Sequence, residues 1–120
     1  MSKAPVASSA TASLARRSPK AARVFAALGD PTRLALVAKL SDGSRRSIAQ
    51  LSDGEPLTRQ AISKHLRVLE GARLVRSQRA GRESLYALDP APIADLQAYL
   101  ALVSSQWDQA LARLKALVER

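Results

Sequence analysis

The sequence predicts a mainly α fold with a small β-hairpin, and three observations support this class. Apolar residues recur at intervals of three and four through most of the chain, which is the spacing of one helix face. Cap residues followed by proline, Asp30-Pro31 and Asp89-Pro90, mark two helix starts. One later stretch alternates apolar and polar residues around Gly81, which is typical of two short strands joined by a tight turn.

Charge and composition narrow the functions that this chain of 120 residues can have. It carries a net charge of +9, which favours a polyanionic partner, either nucleic acid or an anionic membrane. Residues 1–88 hold 16 Lys/Arg against 6 Asp/Glu, whereas residues 89–120 hold 3 against 4. Because the chain has only four aromatic residues, base stacking on single strands is disfavoured and double-stranded DNA is the expected partner.

Several functional classes lack the residues that they need. There is no cysteine and only one histidine, His65, so we expect no metal and no cofactor. The sequence has no glycine-rich phosphate loop and no recognisable carboxylate pair, so the protein is not expected to be an enzyme. No stretch approaches the roughly 20 apolar residues of a membrane span.

Residues 1–18 are rich in Ala and Ser, contain basic residues and no acid, and are predicted to be a disordered tail. Three interpretations of the tail stay open: an arm that contacts DNA phosphates, an inert extension, or an organellar transit peptide.

Residues 19–120 then form one domain. Its first helix, PKAARVFAALG, has Val24, Phe25 and Leu28 on one side. The second follows Asp30, and its apolar positions are Leu34, Val37 and Leu40.

A short third helix and a longer fourth helix follow, separated by the turn DGEP. Ser44 is expected to cap the third helix, RRSIAQLS, and Thr58 to cap the fourth. The fourth helix carries a core stripe of Ile62, Leu66 and Leu69. Two helices joined by a short glycine-containing turn form the helix-turn-helix pattern, whose second helix can enter a major groove of DNA.

The outward face of the fourth helix is polar and basic. Arg59, Gln60 and Ser63 are predicted to contact base edges, since Arg reads guanine and Gln reads adenine, although Ser63 could also bind phosphate. The predicted backbone contacts of this helix are Thr58, Lys64 and Arg67. An ordinary solvated helix face is the alternative for all of these residues.

The hairpin that follows is also basic, which favours the DNA-binding interpretation. Arg73, Arg76, Arg79 and Arg82 flank or occupy it, with only Glu83 opposing them. Arg79 and Arg82 are suited to contact the DNA backbone or minor groove beside the inserted helix.

The last predicted helix, residues 90–118, has an apolar seam about seven turns long. We expect it to dimerise, the alternative being a helix packed on its own domain.

These segments together resemble a known family. ALGDPTRLALVAKL, RSIAQL, LTRQAISKHLRVLEGARLV and RAGRESLYAL, in this order, resemble the winged helix-turn-helix of ArsR-type bacterial transcriptional regulators. SQWDQALARLKAL in the last helix resembles a branch that does not sense metals. The resemblance implies a winged helix-turn-helix with N- and C-terminal dimerisation helices. The implied interface comprises Val24, Phe25, Leu28, Leu96, Leu100, Val103, Trp107, Leu111 and Leu114.

The implied function is that of a cytoplasmic, nucleoid-associated homodimeric repressor that binds an imperfect inverted repeat in promoter DNA. One alternative is a winged-helix protein-interaction module without specific DNA binding. A basic membrane-surface protein is disfavoured, because the last helix lacks a stripe of basic residues.

The sequence departs from the family at two places. Where metal-sensing relatives have a Cys-x-Cys pair, this chain has Ser47, Ile48 and Ala49; Asp95 lies on the last helix, which has no histidine. Relatives usually have glycine where this chain has Arg73, with Gly71 two residues earlier. Either Arg73 adopts a left-handed conformation or the fourth helix ends at Gly71. His65 is expected to pack or form hydrogen bonds rather than to bind a metal or act as a pH switch.

Overall fold

The computed structural model describes residues 19–119, without the side chain of Lys20, so the predicted tail at residues 1–18 lies outside the described residues. Five helices and three strands follow one another along the chain. They are α1 (Pro19–Leu28), α2 (Pro31–Leu40), β1 (Arg46–Ser47), α3 (Ile48–Ser52), α4 (Arg59–Gly71), β2 (Val75–Ala80), β3 (Glu83–Leu88) and α5 (Pro90–Val118). The predicted mainly helical class is therefore confirmed.

Both cap-plus-proline signals begin helices as predicted. The Asp30 carboxylate accepts hydrogen bonds from the backbone N–H groups of Thr32 and Arg33, at 2.9 and 3.1 Å. Asp89 accepts one from the N–H of Ala91 at 3.1 Å and so opens α5. These bonds satisfy N–H groups that would have no partner within the first turn of a helix.

The start of α3 differs from the prediction. Ser47, not Ser44, caps this helix: its hydroxyl accepts from the N–H of Gln50, and the Gln50 side chain accepts from the N–H of Ser47. Ser44 instead donates its hydroxyl hydrogen to Asp42 at 2.6 Å. The reason is that the residues before Ile48 are extended as β1, so α3 starts three residues later than the sequence indicated.

The predicted hairpin is one part of a three-stranded antiparallel sheet in the order β1-β3-β2. The short strand β1 pairs Arg46 with Tyr86 and Ser47 with Leu85. In the hairpin, residues 75–80 pair with residues 88–83, and Gly81 in the turn has a φ of 63°. Tyr86 of β3 is buried in the core shared by the sheet and the helices.

A single hydrophobic core joins the helices to the sheet. The predicted stripe of α4 is confirmed, since all three of its apolar residues are fully buried. On α2 the prediction was wrong at Leu34, which is 52% exposed while Leu36 is fully buried. The core comprises Val24, Ala27, Leu36, Leu40, Leu51, Ile62, Leu66, Leu69, Leu74, Val75, Tyr86 and Leu96.

The two alternatives for the end of α4 both describe part of the structure. The helix ends at Gly71 with Ala72 as its C-cap, and Arg73 then adopts a left-handed backbone with a φ of 61°. Among the described residues, Arg73 is the only non-glycine residue with a positive φ. Such a conformation costs roughly 1–2 kcal/mol for a residue with a Cβ atom.

Candidate nucleic-acid interface

Helix α4 is fixed in one rotation about its axis, and this rotation decides which of its side chains reach solvent. The Thr58 hydroxyl caps the helix by accepting from the N–H of Ala61 at 3.1 Å. Ile62, Leu66 and Leu69 are fully buried against the core. The helix cannot turn without exposing these residues, so its outward face is presented as a rigid surface.

The residues predicted to contact DNA lie on the outward side of α4 and on one flank. Gln60, Lys64 and Arg67 are exposed and follow the spacing of a single helix face pointing away from the core. Arg59, also exposed, lies nearer the flank that faces the sheet. Ser63 is half-buried on the same flank. The structure therefore brings these five polar residues together, and Thr58, the sixth residue predicted for this helix, is exposed at its N-cap.

An open groove of about 460 Å³ separates the start of α4 from the sheet. It brings Arg82 of the hairpin turn beside Arg59 and Gln60 of α4, with Glu83 in the same lining. The groove is lined by Ser47, Ile48, Ala49, Arg59, Gln60, Arg82, Glu83 and Ser84. The sequence alone did not indicate this juxtaposition, because it depends on how the hairpin lies beside α4 in the folded chain.

The four arginines around the hairpin have different surroundings. Arg79 and Arg82 are exposed, and in the described part of the chain neither has a carboxylate within 4 Å. Arg76 instead pairs with the Asp89 carboxylate at 3.6 Å. Arg73 occupies the left-handed position after α4. Arg79 and Arg82 are thus the hairpin arginines whose charge is directed to solvent near the tip.

One further cation, Lys39 of α2, has structural partners that the sequence did not indicate. Lys39 of α2 donates to the carbonyl oxygens of Leu51 and Asp53 and forms an ion pair with Glu55 at 3.1 Å. These contacts hold the turn between α3 and α4 against α2. The turn has a left-handed glycine, Gly54, with a φ of 78°. No local sequence signal indicated this role, because Lys39 precedes the turn by more than a dozen residues.

His65 belongs to a polar cluster between α4 and the start of α2. Its Nδ1 atom lies 3.2 Å from Nη1 of Arg33 and 3.9 Å from Oδ2 of Asp30. The hydrogen bond from the Arg33 backbone N–H lowers the pKa of Asp30, with a smaller contribution from the nearby His65. These contacts agree with the predicted hydrogen-bonding role of His65 and connect α4 to the cap of α2.

An exposed apolar stripe runs along the C-terminal half of α5, beyond the hydrophobic core. Trp107, Leu111 and Leu114 are 64, 55 and 58% exposed. Leu100 is also exposed, and Val103 is half-buried. Such a run of exposed apolar side chains is characteristic of an interaction surface.

Near α1 the predicted interface residues divide into two groups. Phe25 is 42% exposed and makes an edge-to-face contact with Tyr99 of α5, with 5.8 Å between the ring centroids. Leu28 is half-buried. Val24 and Leu96, by contrast, are 2 and 8% exposed and lie in the hydrophobic core. They pack behind the surface and cannot present their side chains to a partner in this conformation, which corrects their assignment to an interface.

Comparison with known proteins agrees with this geometry. A family model described as a helix-turn-helix domain matches residues 28–78. The chain is 38% identical over 97 residues to the HTH-type transcriptional regulator Rv2034 of Mycobacterium tuberculosis, covering 81% of this chain and 87% of that protein. An ArsR-like transcriptional regulator from Rhodococcus sp. RHA1 has 36% identity and a TM-score of 0.66, with 82 and 92% of the two chains covered. The chain belongs to the ArsR family.

As an ArsR-family protein it is a DNA-binding transcriptional regulator with a winged helix-turn-helix, in which β2 and β3 form the wing. It is also 37% identical over 68 residues to the transcriptional repressor SmtB of M. tuberculosis, covering 57% of this chain and 50% of that protein. Within residues 19–119 no three His, Asp or Glu side chains are grouped to hold a metal ion. None of the described helices is long and apolar enough to cross a membrane.

Proposed function

We propose that this protein is a homodimeric repressor that binds an imperfect inverted repeat in promoter DNA. The observation that carries the proposal is the exposed basic face of α4, which is held rigidly by the core beside an equally exposed basic wing. In this proposal α4 enters the major groove and the wing follows the adjacent backbone. The protein would then act on DNA in the nucleoid.

Base reading is assigned to Arg59, Gln60 and Ser63, which lie in the first two turns of α4. The N-terminal residues of a recognition helix are those that reach base edges, and Arg and Gln can each form two hydrogen bonds to one base. Sequence-independent contacts to phosphate are assigned to the remaining polar residues, which fix the register of the protein on the duplex. They are Thr58, Lys64, Arg67, Arg79 and Arg82.

Homodimer formation is assigned to the exposed stripe of α5 together with Phe25 of α1. The apolar side chains of the C-terminal half of α5 have no cover within the described chain, and a second copy of α5 offers a matching surface. The residues retained for this interface are Phe25, Leu28, Leu100, Val103, Trp107, Leu111 and Leu114. Two α4 helices in such a dimer would enter successive major grooves about 34 Å apart.

Repression is the mode that we propose for this regulator. A relative named as a repressor, SmtB, supports the same assignment. A dimer seated on promoter DNA would block transcription by occupying the site.

The experiment that tests the proposal compares binding to two duplexes across a range of salt concentrations. One duplex is selected by the protein from a random-sequence pool, and the other has scrambled sequence. We expect tighter binding to the selected duplex, together with a log–log salt slope of about −0.9 for each phosphate contacted. Equal affinity for both duplexes at every salt concentration would contradict the proposal and favour a protein-interaction module.

A further inference from the structure

Two wing arginines that have the same predicted role differ in their position relative to the groove beside α4. Arg79 and Arg82 lie on either side of the Gly81 turn, and both side chains are exposed. Arg82 lines the groove with Arg59, but Arg79 is not among the groove's lining residues. In the hairpin Arg79 pairs across with Ser84, one step further from the turn. The two arginines carry the same charge but have different neighbours.

The groove also concentrates positive charge that the protein does not neutralise. In the described part of the chain, neither Arg59 nor Arg82 has a carboxylate within 4 Å, although Glu83 lines the same groove. Two guanidinium groups in one groove repel each other, and a phosphate between them would remove this repulsion. The phosphate would also hold both side chains through charge-assisted hydrogen bonds, which are strong and directional.

We propose that Arg82 is a positioning residue for base reading: by binding the DNA phosphate that enters this groove, it fixes the approach from which Arg59 reads its base. This inference rests on the proposed function and adds to it. A wing arginine that only contacts backbone carries no sequence information. Arg82 instead contributes to specificity through Arg59, whereas Arg79 supplies charge alone.

The test uses the full chain with Arg82→Ala, and with Arg79→Ala as a control of equal charge change on the same hairpin. Binding is measured to a duplex selected by the wild-type protein from a random pool and to a scrambled duplex. We expect Arg82→Ala to lower the ratio of the two affinities by about 5-fold or more, within the range for loss of one base contact. Arg79→Ala should weaken both duplexes and leave the ratio within about 2-fold, as for a phosphate contact.

Double variants with Arg59→Ala provide a second readout. On the selected duplex, the loss in Arg59→Ala/Arg82→Ala should be smaller than the product of the two single losses, because the two residues act as a unit. The Arg59→Ala/Arg79→Ala losses should multiply. Unchanged thermal melting of each variant, followed by circular dichroism, establishes that the fold is retained.

The possible failures are distinguishable. If the wild-type protein selects no sequence from the pool, the proposed function itself fails. If it selects a sequence, but Arg82→Ala behaves like Arg79→Ala in both the ratio and the double variants, this inference is overturned while the proposed function stands.

Discussion

The backbone N–H of Leu74 donates a hydrogen bond to the carbonyl oxygen of Leu69 at 2.9 Å, which closes the C-terminal end of α4. A second bond, from the N–H of Arg73 to the carbonyl oxygen of Glu70 at 2.9 Å, completes a Schellman motif. Leu69 and Leu74 are both fully buried. Their packing and these two hydrogen bonds hold Arg73 in a conformation that its own Cβ atom disfavours.

Arg73→Gly is therefore expected to stabilise the fold. Glycine adopts a positive φ without steric cost, although its unfolded chain is more flexible, so the net gain should be about 1 kcal/mol. Urea unfolding of the variant measures the change in the free energy of unfolding. Arg73→Ala removes the same charge but keeps the Cβ atom, and should show no such gain. Equal stabilisation by both variants would attribute the effect to the charge instead.

Gln60→Ala should weaken binding to the selected duplex by about 1–3 kcal/mol and relax the sequence preference at one position of the site. Gln60 is exposed at the start of α4, so the substitution leaves the core intact. Fluorescence anisotropy with the selected and scrambled duplexes measures the effect. Lys64→Ala, one turn further along the helix, serves as the control and should weaken both duplexes alike. An equal loss on both duplexes for Gln60→Ala would remove its base-reading role.

Trp107→Asp should dissociate the proposed dimer. Trp107 is 64% exposed in the single subunit, so a charge there costs the subunit little but would be buried unpaired between two α5 helices. Sedimentation velocity should show a monomer. Gln109→Asp introduces the same charge on a different face of α5, and its dimer should persist. A Trp107→Asp protein that sediments as an intact dimer would refute this interface.

Asp42 should titrate well below its usual range. Hydrogen bonds from the Ser44 hydroxyl and backbone N–H, with a further one from Arg46, lower its pKa from 3.8 to about 2. Because the pKa is lower in the folded chain, these bonds favour the folded state above about pH 4, and their contribution is lost as the pH falls towards 2. Ser44→Ala should raise the pKa of Asp42 towards 3.8, as followed by carboxyl NMR. Asp30, whose lowered pKa depends on Arg33, provides the unaffected reference.

The features that the sequence could predict are those decided within a few residues. Helices are capped by Asp30, Thr58 and Asp89, because the short polar side chain of each accepts a hydrogen bond from an N–H group two or three residues later. Gly81 occupies the turn because a positive φ suits glycine there. The apolar stripe of α4 was likewise clear from its spacing alone.

The features that escaped prediction depend on contacts between distant parts of the chain. Ser47 rather than Ser44 caps α3 because β1 pairs with β3, almost 40 residues further on. The grouping of Arg59 with Arg82 likewise depends on a long-range arrangement, namely how the hairpin lies beside α4. The spacing of apolar residues predicted the apolar positions of α5, but only the packing of α5 against α1 decides that Leu96 is covered and Trp107 is not.

The wing passes into α5 with a single intervening residue: β3 ends at Leu88, Asp89 follows, and α5 begins at Pro90. Asp89 cannot act as a flexible hinge, because its N–H donates to the carbonyl oxygen of Leu74 at 2.8 Å and its carboxylate pairs with Arg76. In the proposed dimer joined through α5, the two winged helix-turn-helix units would therefore be connected rigidly rather than by a flexible linker. If a few base pairs were inserted between the two half-sites, the dimer could no longer bind both at once, and only one unit would remain bound to its half-site.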